Sequence, residues 1–326
     1  RGVDILFLGD GYDAEALASG KYMDLVREEM EYFFGLPPYD RFRDYFNVYA
    51  GIPLSQETGI NTVNTYRNTR FGTIYAGSKL CGGPGPRLMP DDQQIFPYIT
   101  QTLTDTPFKE NDLNRLLVIL IPNTEEYGGV TYLYEDNRAI AICPRSLQAY
   151  PEDTRGVVQR EAGGYGFGKL GNEAVIYNRY APSSVIGAIE NGHERGWYRN
   201  IATTGKMAEV PWAHFIFDPR YSDYVDIFEG AFEYTRSVYR SEASSCMNTG
   251  VPYYNTISRQ TITERIMQLA EEPFSMEEFY NNDTNAWGST GSRTRTAIPD
   301  ENRGECHAPI LVKGKYIPNK PKLKNK

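Results

Sequence analysis

The order of apolar and polar positions divides the chain into a strand-rich first half and a second half with few long periodic runs. "VDILFLGDGY" (3–12) is a nearly unbroken apolar run closed by a Gly-Asp-Gly turn, the pattern of a buried strand. Leu17, Tyr22, Leu25, Val26, Met30 and Phe33 then fall on one helical face, which predicts a helix over 14–34 ended by Pro37 and Pro38. "YFNVYAGIPL" (45–54) reads as a second strand. Residues 55–92 are rich in Asn, Thr, Gly and Pro, with "CGGPGP" at 81–86, and predict a long irregular segment of the kind that is usually functional or partly disordered. "LNRLLVILIPN" (113–123) predicts a central strand, followed by "YGGVTY" (127–132) and by a further strand, "RAIAIC" (138–143). A helix starts near Thr154. Beyond Tyr177 the clearest periodic run is "SRQTITERIMQLA" (258–270), a helix with Ser258 as candidate N-cap. From about 281 the chain is Asn/Thr/Gly/Arg-rich and ends in a short strand candidate, "APILVKGKY". Strands before the helix at 154 and helices around it predict an α/β sandwich with a mixed sheet.

Composition narrows the class. The 326 residues allow one large domain or two small ones, and 40% hydrophobic with 23% charged residues fits a soluble protein with a sizeable core. The net charge of −8 argues against a general nucleic-acid binder, which carries a basic face. The basic run "VKGKYIPNKPKLKNK" reads as a solvated end. No apolar run is long enough for a transmembrane helix. The chain begins at Arg1 and enters a strand at once, so an N-terminal part is expected to have been removed or to lie outside this sequence. Cys81, Cys143, Cys246 and Cys306 match no zinc spacing, and their pairing stays open among three full connectivities. The 25 tyrosines suit an aromatic-lined binding surface, but ordinary packing explains them more simply.

The chemistry concentrates in "VVQREAGGYGFGKLGNEAV" (157–175). Histidines at the positions of Arg160 and Tyr165 would make it a zinc-hydrolase signature. A catalytic zinc takes three protein ligands and a water, with a glutamate acting on that water. Glu161 holds the glutamate position. Tyr165 follows Arg160 by five residues rather than four, so the two share a face only if the helix bulges, and Gly163-Gly164 is the natural place. Arginine does not ligate a cation. Tyrosine does so only as phenolate.

The stretch resembles the bacterial M64 metallopeptidase family, whose founding activity is cleavage of immunoglobulin A and whose pattern is similar to HEAGGHGFGKLxDEY. Glu161, Ala162, Gly163, Gly164, Gly166, Phe167, Gly168, Lys169, Leu170 and Glu173 match it. Arg160, Tyr165, Asn172 and Ala174 depart from it, where the family has His, His, Asp and Tyr. "FLGDGY", "FNVY", "YGG" (127–129), "VPWAHF" (210–215), "SCMN" (245–248), "PYYN" and "HAPILVKGKY" extend the resemblance over the whole chain in family order.

The resemblance implies a zincin- or metzincin-like α/β domain over 1–326, with a sheet and active-site-helix subdomain (1–176) and a C-terminal subdomain (177–326) carrying a methionine turn at Met247. It also implies a secreted or cell-envelope location. Active relatives use zinc; with Arg160, Tyr165 and Asn172 at the ligand-equivalent positions, no metal or other cofactor is expected here, and Glu161 is expected to be vestigial. Tyr127, Gly128, Gly129, His214 and Glu229 are the cleft candidates. His193, His214 and His307 read more simply as hydrogen-bonded or solvated side chains. Arg160 is expected to stand in for the missing cation by pairing with Glu173 or Glu229. The resulting expectation is a pseudopeptidase that binds peptide or glycoprotein without cutting it. The alternatives are an active zinc endopeptidase with unusual ligands, such as Tyr165, His214 and Glu173, and a structural cell-surface module.

Overall fold

Strand β1 (Val3–Asp10) is buried almost throughout, and β6 (Leu117–Pro122), β7 (Val130–Tyr134) and β8 (Ala139–Ile142) are buried at every residue. Strands covered on both faces need apolar side chains pointing both ways, which is why their sequences read as continuous runs rather than alternations. The computed structural model describes residues 2–76, 87–103, 105, 106, 108–248, 251–283 and 310–319. With β2 (Phe46–Ala50) and β13 (Ile310–Lys313) these strands form a six-stranded sheet in the order β13-β7-β8-β6-β1-β2. All neighbours are parallel except β7 and β8. The protein is thus mixed α/β with a mixed sheet.

Odd and even positions of the strands feed two cores. Val3, Ile5, Phe7, Leu117, Ile119, Ala139 and Ala141 face a layer that includes the helix Lys21–Phe33 and the segment 157–170. Leu6, Leu8, Val118, Leu120, Ile140 and Ile142 face the helix Asp92–Gln101 through Ile95, Phe96 and Ile99. The helix expected over 14–34 is two helices, α1 (Ala14–Ala18) and α2 (Lys21–Phe33). Gly20 separates them with φ 81°, a left-handed conformation that breaks the helical ladder.

The irregular segment 55–92 contains a small sheet of β3 (Asn61–Thr62), β4 (Ile74–Ala76) and β5 (Arg87–Met89), before α3 (Asp92–Gln101). "CGGPGP" and Cys81 lie outside the described residues, as do Cys306 and His307. Cys143 and Cys246 are buried free thiols.

The second half holds more structure than its sequence announces. Strands β9 (Val175–Tyr180), β10 (Ile201–Ala202), β11 (Phe228–Ala231) and β12 (Glu233–Arg240) form a second sheet around β12. The division expected at 176/177 falls inside β9. Between these strands lie α5 (Ser183–Glu194) and the short α6 (Ala213–Ile216), both after α4 (Thr154–Val157). The helix expected from Ser258 begins earlier, as α7 (Thr256–Ala270): Asn255 is its N-cap and accepts the Ser258 amide at 3.0 Å. Helix α8 (Met276–Asn282) follows. The basic C-terminal run is only partly a solvated end, because β13 joins the sheet, Lys313 pairs with Asp92 at 2.6 Å and Tyr316 is buried against Phe96 and Tyr134.

Candidate functional site

Helix α4 is capped by Asp153, whose carboxylate accepts the Gly156 amide at 2.8 Å, and it runs on without a break as a π-helix over Val158–Phe167. In an α-helix, residues five apart point about 140° apart. In a π-helix they return to nearly the same side. Arg160 and Tyr165 therefore share a face, which is the bulge that the Gly163-Gly164 pair led one to expect.

A carbonyl has two lone pairs, so a buried helical carbonyl can accept a side-chain donor beside its backbone one, as Gly163 does with the Gly168 amide at 3.0 Å. Tyrosines supply such donors. Tyr254 donates to the Gln159 carbonyl at 2.5 Å and Tyr39 to the Gly163 carbonyl at 2.6 Å. Both rings lie in the core. Close approach explains the glycines: a β-carbon on Gly163 would sit 2.2 Å from the Tyr254 hydroxyl, and one on Gly164 would sit 2.5 Å from the Met247 sulfur. Met247, which the family resemblance implies lies in a turn beneath the site, is thus packed against the π-helix.

That turn is held by a single carboxylate. Glu173 Oε1 accepts from Asn200 at 2.7 Å and Asn255 at 2.6 Å, and Oε2 accepts from the Ser245 hydroxyl at 2.6 Å. Ser245 Oγ in turn accepts the Met247 amide at 3.0 Å, and the Glu173 amide donates to the Met247 carbonyl at 3.0 Å. Glu173 is therefore a structural hub, spent on three donors. Burial still raises its pKa, against the pull of those hydrogen bonds.

Arg160 is buried, but neither expected carboxylate is its partner. Its guanidinium donates to the Pro151 carbonyl at 2.5 Å and to the Tyr127 hydroxyl at 3.3 Å. Burial alone would loosen its proton, but the oxygens of Tyr127, Glu161, Tyr165 and Glu152 outweigh that and keep it charged. Glu229 lies on β11 and is occupied by Arg236 at 2.7 Å and the Ser237 amide at 3.1 Å.

Glu161, the general-base position, is also buried. The Thr131 hydroxyl on β7 lies 2.8 Å from its Oε2 and 2.9 Å from its carbonyl oxygen. Burial pushes the carboxyl up to about 8, against the attraction of Arg160, the Thr131 hydrogen bond and Arg87. Arg87 also faces Glu233, whose carboxyl burial raises to about 7. Near neutrality the site offers two cations, Arg160 and Arg87, a Glu161 carboxyl that holds its proton and a Glu233 carboxyl that is about half protonated. It can donate hydrogen bonds from both guanidinium groups and from the protonated carboxyls.

Of the cleft candidates, Tyr127 and Gly129 do border the π-helix. Tyr127 meets Arg160, and a β-carbon on Gly129 would lie 3.2 Å from Glu161 Cγ. Gly128 gives its carbonyl to the Leu88 amide at 3.2 Å. His214 does not join them. It is exposed on α6, stacked on Phe215 and bonded to Gln260 at 2.8 Å, the simpler role expected for it. His193 bonds the Tyr198 and Ile201 carbonyls, also a structural role. Asn172, the third ligand-equivalent position, turns its Oδ1 back to the Ala174 amide at 2.9 Å.

The residues present do not fit a zinc ion at the positions where the resemblance expects ligands: a charged guanidinium, Arg160, stands at one and the tied amide of Asn172 at another. Among the described residues, no group of three or more His, Cys, Asp or Glu side chains is placed to hold a metal. Thr131, Arg87 and Glu233 are the site residues that sequence reasoning missed. Only Thr131 had a visible signal, as the residue two after the Gly128-Gly129 pair on a predicted strand. In comparison with known proteins, no family model matches this chain and no curated protein matches it. No helix among the described residues is long and apolar enough to cross a membrane.

Proposed function

We propose that this chain is a non-catalytic protein built on the fold of the M64-type zinc peptidases, which binds a peptide or glycoprotein outside the cell or at its envelope without cutting it. The observation that carries this reading is the buried Arg160 guanidinium, fixed between the Pro151 carbonyl and the Tyr127 hydroxyl where the signature would place its first imidazole. A positive charge locked there opposes a dication by simple Coulomb repulsion in a poorly solvated setting. The peptidase-like scaffold is supported by the π-helical widening at Gly163-Gly164 and by Met247 packed beneath it.

Strand addition at the β7 edge, the usual way such folds bind extended chains, is not open here. Strand β13 pairs with Thr131–Tyr134, and Leu88 takes the Gly128 carbonyl. Recognition therefore falls to side chains at the rim, with Tyr127 and Glu233 both partly exposed. The same closed edge favours, as a second reading, a structural surface module with no cleft ligand.

The test is zinc content of protein purified without chelator, together with capture from a peptide library. The expected result is far less than one zinc per chain, and capture of a peptide subset that Tyr127→Ala weakens. One zinc per chain overturns the non-catalytic reading. Capture of nothing leaves the structural module.

A further inference from the structure

Past the C-terminal end of the π-helix lies a cavity of about 270 Å³, bordered among others by Lys169, Arg199, Thr261, Glu264, Arg265 and Gln268. Three of these side chains are cations and one is an anion. Glu264 is already committed: Oε2 pairs with Arg199, and Oε1 accepts from Gln260 at 2.6 Å. Its charge is balanced by Arg199. Lys169 and Arg265 remain.

Lys169 is 2% exposed, and its ammonium donates to the Asn137 carbonyl at 3.2 Å. Arg265 lies over the Phe167 ring at 5.6 Å, and its Nε is sealed from solvent with no hydrogen-bond partner. Among the described residues, no carboxylate forms an ion pair with either. Asp136 attracts Lys169 from a distance but holds Arg138 at 3.1 Å. Burial, and then the charge of Arg265, push the Lys169 ammonium well below its usual range; burial pushes Arg265 down to about 10.

One ordinary explanation is the negative end of the helix, since Gly168 caps the π-helix. A helix C-terminus supplies roughly half an elementary charge. That is too little to balance a buried lysine and a half-buried arginine that repel each other. A guanidinium with an unpartnered Nε on the wall of a cavity, with a second cation beside it, is the arrangement that recognises oxyanions.

We propose that this cavity binds a small oxyanion, a phosphate or a carboxylate, held by Arg265 and Lys169 with Arg199 at its edge. The site is separate from the Arg160–Glu161 constellation and does not depend on how that constellation functions. Bound anion would neutralise the repulsion and tighten the packing of α7 against the end of the π-helix.

The experiment titrates the full chain with inorganic phosphate at constant ionic strength, reading both thermal unfolding and ³¹P line broadening. Expected are a saturable rise in Tm and broadening in the unaltered protein. Arg265→Gln should lower the phosphate affinity by about tenfold or more, yet leave the Tm without phosphate unchanged or higher. A parallel titration with acetate separates a carboxylate site from a phosphate site. An equal Tm rise in R265Q and the unaltered protein would overturn the proposal, because the effect would then be general to salt. So would the absence of both broadening and Tm rise with either anion. Should R265Q fail to fold, the line broadening of the unaltered chain and of Arg199→Gln, expected to be weaker, still decides the matter.

Discussion

Met247 and Gly164 touch so closely that a β-carbon on the glycine would meet the methionine sulfur at 2.5 Å. The contact joins the π-helix to the turn that Glu173 holds, so two segments some eighty residues apart in sequence position each other. Gly164→Ala should cost about 1–3 kcal/mol through overpacking, seen as a lower midpoint in urea unfolding. Adding Met247→Ala should restore part of it, since the two effects share one contact. An unchanged midpoint in G164A would mean that the sulfur has room to move.

Arg160→Ala should lower stability by about 1–3 kcal/mol, because it removes charge-assisted hydrogen bonds to half-buried oxygens. The Pro151 carbonyl would lose the donor it has at 2.5 Å, and the Tyr127 hydroxyl the one at 3.3 Å. Arg160→Lys should recover only part of the loss, since one ammonium does not span both acceptors as the planar fork does. If A and K variants unfold with the unaltered protein, the guanidinium is not held in solution as it is here.

The strands of the main sheet were legible because burial on both faces writes an unbroken apolar run. The widened helix was legible only by way of the zinc-signature comparison: Arg160 and Tyr165, five apart, share a face only if the helix bulges, and Gly163-Gly164 is the natural place. The partners of Arg160 were not. Pro151 presents a backbone carbonyl, which has no residue-type signature, and the carboxylates that looked available were already bonded elsewhere. The hub at Glu173 gathers Asn200, Ser245 and Asn255 from three separate segments, each in an unremarkable polar context. Long-range hydrogen bonds of this kind carry no local periodicity. The same holds for the sheet around β12, whose pairings with β9 and β11 are bulged, with Phe232 and Glu233 both at positive φ.

Glu173→Gln tests that hub. A glutamine oxygen can replace one carboxylate oxygen, but its NH2 group must then face a donor, either Asn200 and Asn255 or the Ser245 hydroxyl. The expected loss is about 2–3 kcal/mol. Amide exchange at Met247 should speed up as well, because Ser245 relays Glu173 to the Met247 amide. Stability lost without faster exchange at the turn would place the role of Glu173 elsewhere.

Five carboxyls raised by burial set the pH dependence: Glu29 and Glu173, with Glu161, Glu233 and Glu242. Burial is the largest cause of each shift: Glu161 rises to about 8, and Glu233 and Glu242 to about 7. Arg160, Thr131 and Arg87 face Glu161, Arg87 faces Glu233, and Arg259, Thr256 and Tyr253 face Glu242, and none reverses the shift. In the unfolded chain these groups titrate near the ordinary carboxylate value of about 4.3. Below that pH both states are protonated and the stabilising difference is fully present. As pH rises toward 7–8, the unfolded chain releases protons that the folded protein retains, so stability falls across that window and levels off above it. Tm should therefore drop between pH 5 and 8, by roughly 5 °C or more. Glu161→Gln, neutral at every pH, should remove the Glu161 share of the slope, which is clearest between pH 7 and 8 where Glu233 and Glu242 are more than half ionised; Glu29, raised well above its ordinary value by burial, keeps the slope from vanishing. A Tm that rises over this window, or a slope that E161Q leaves unchanged, would show that Glu161 is ionised in the folded protein at neutral pH and that Arg160 has won over burial.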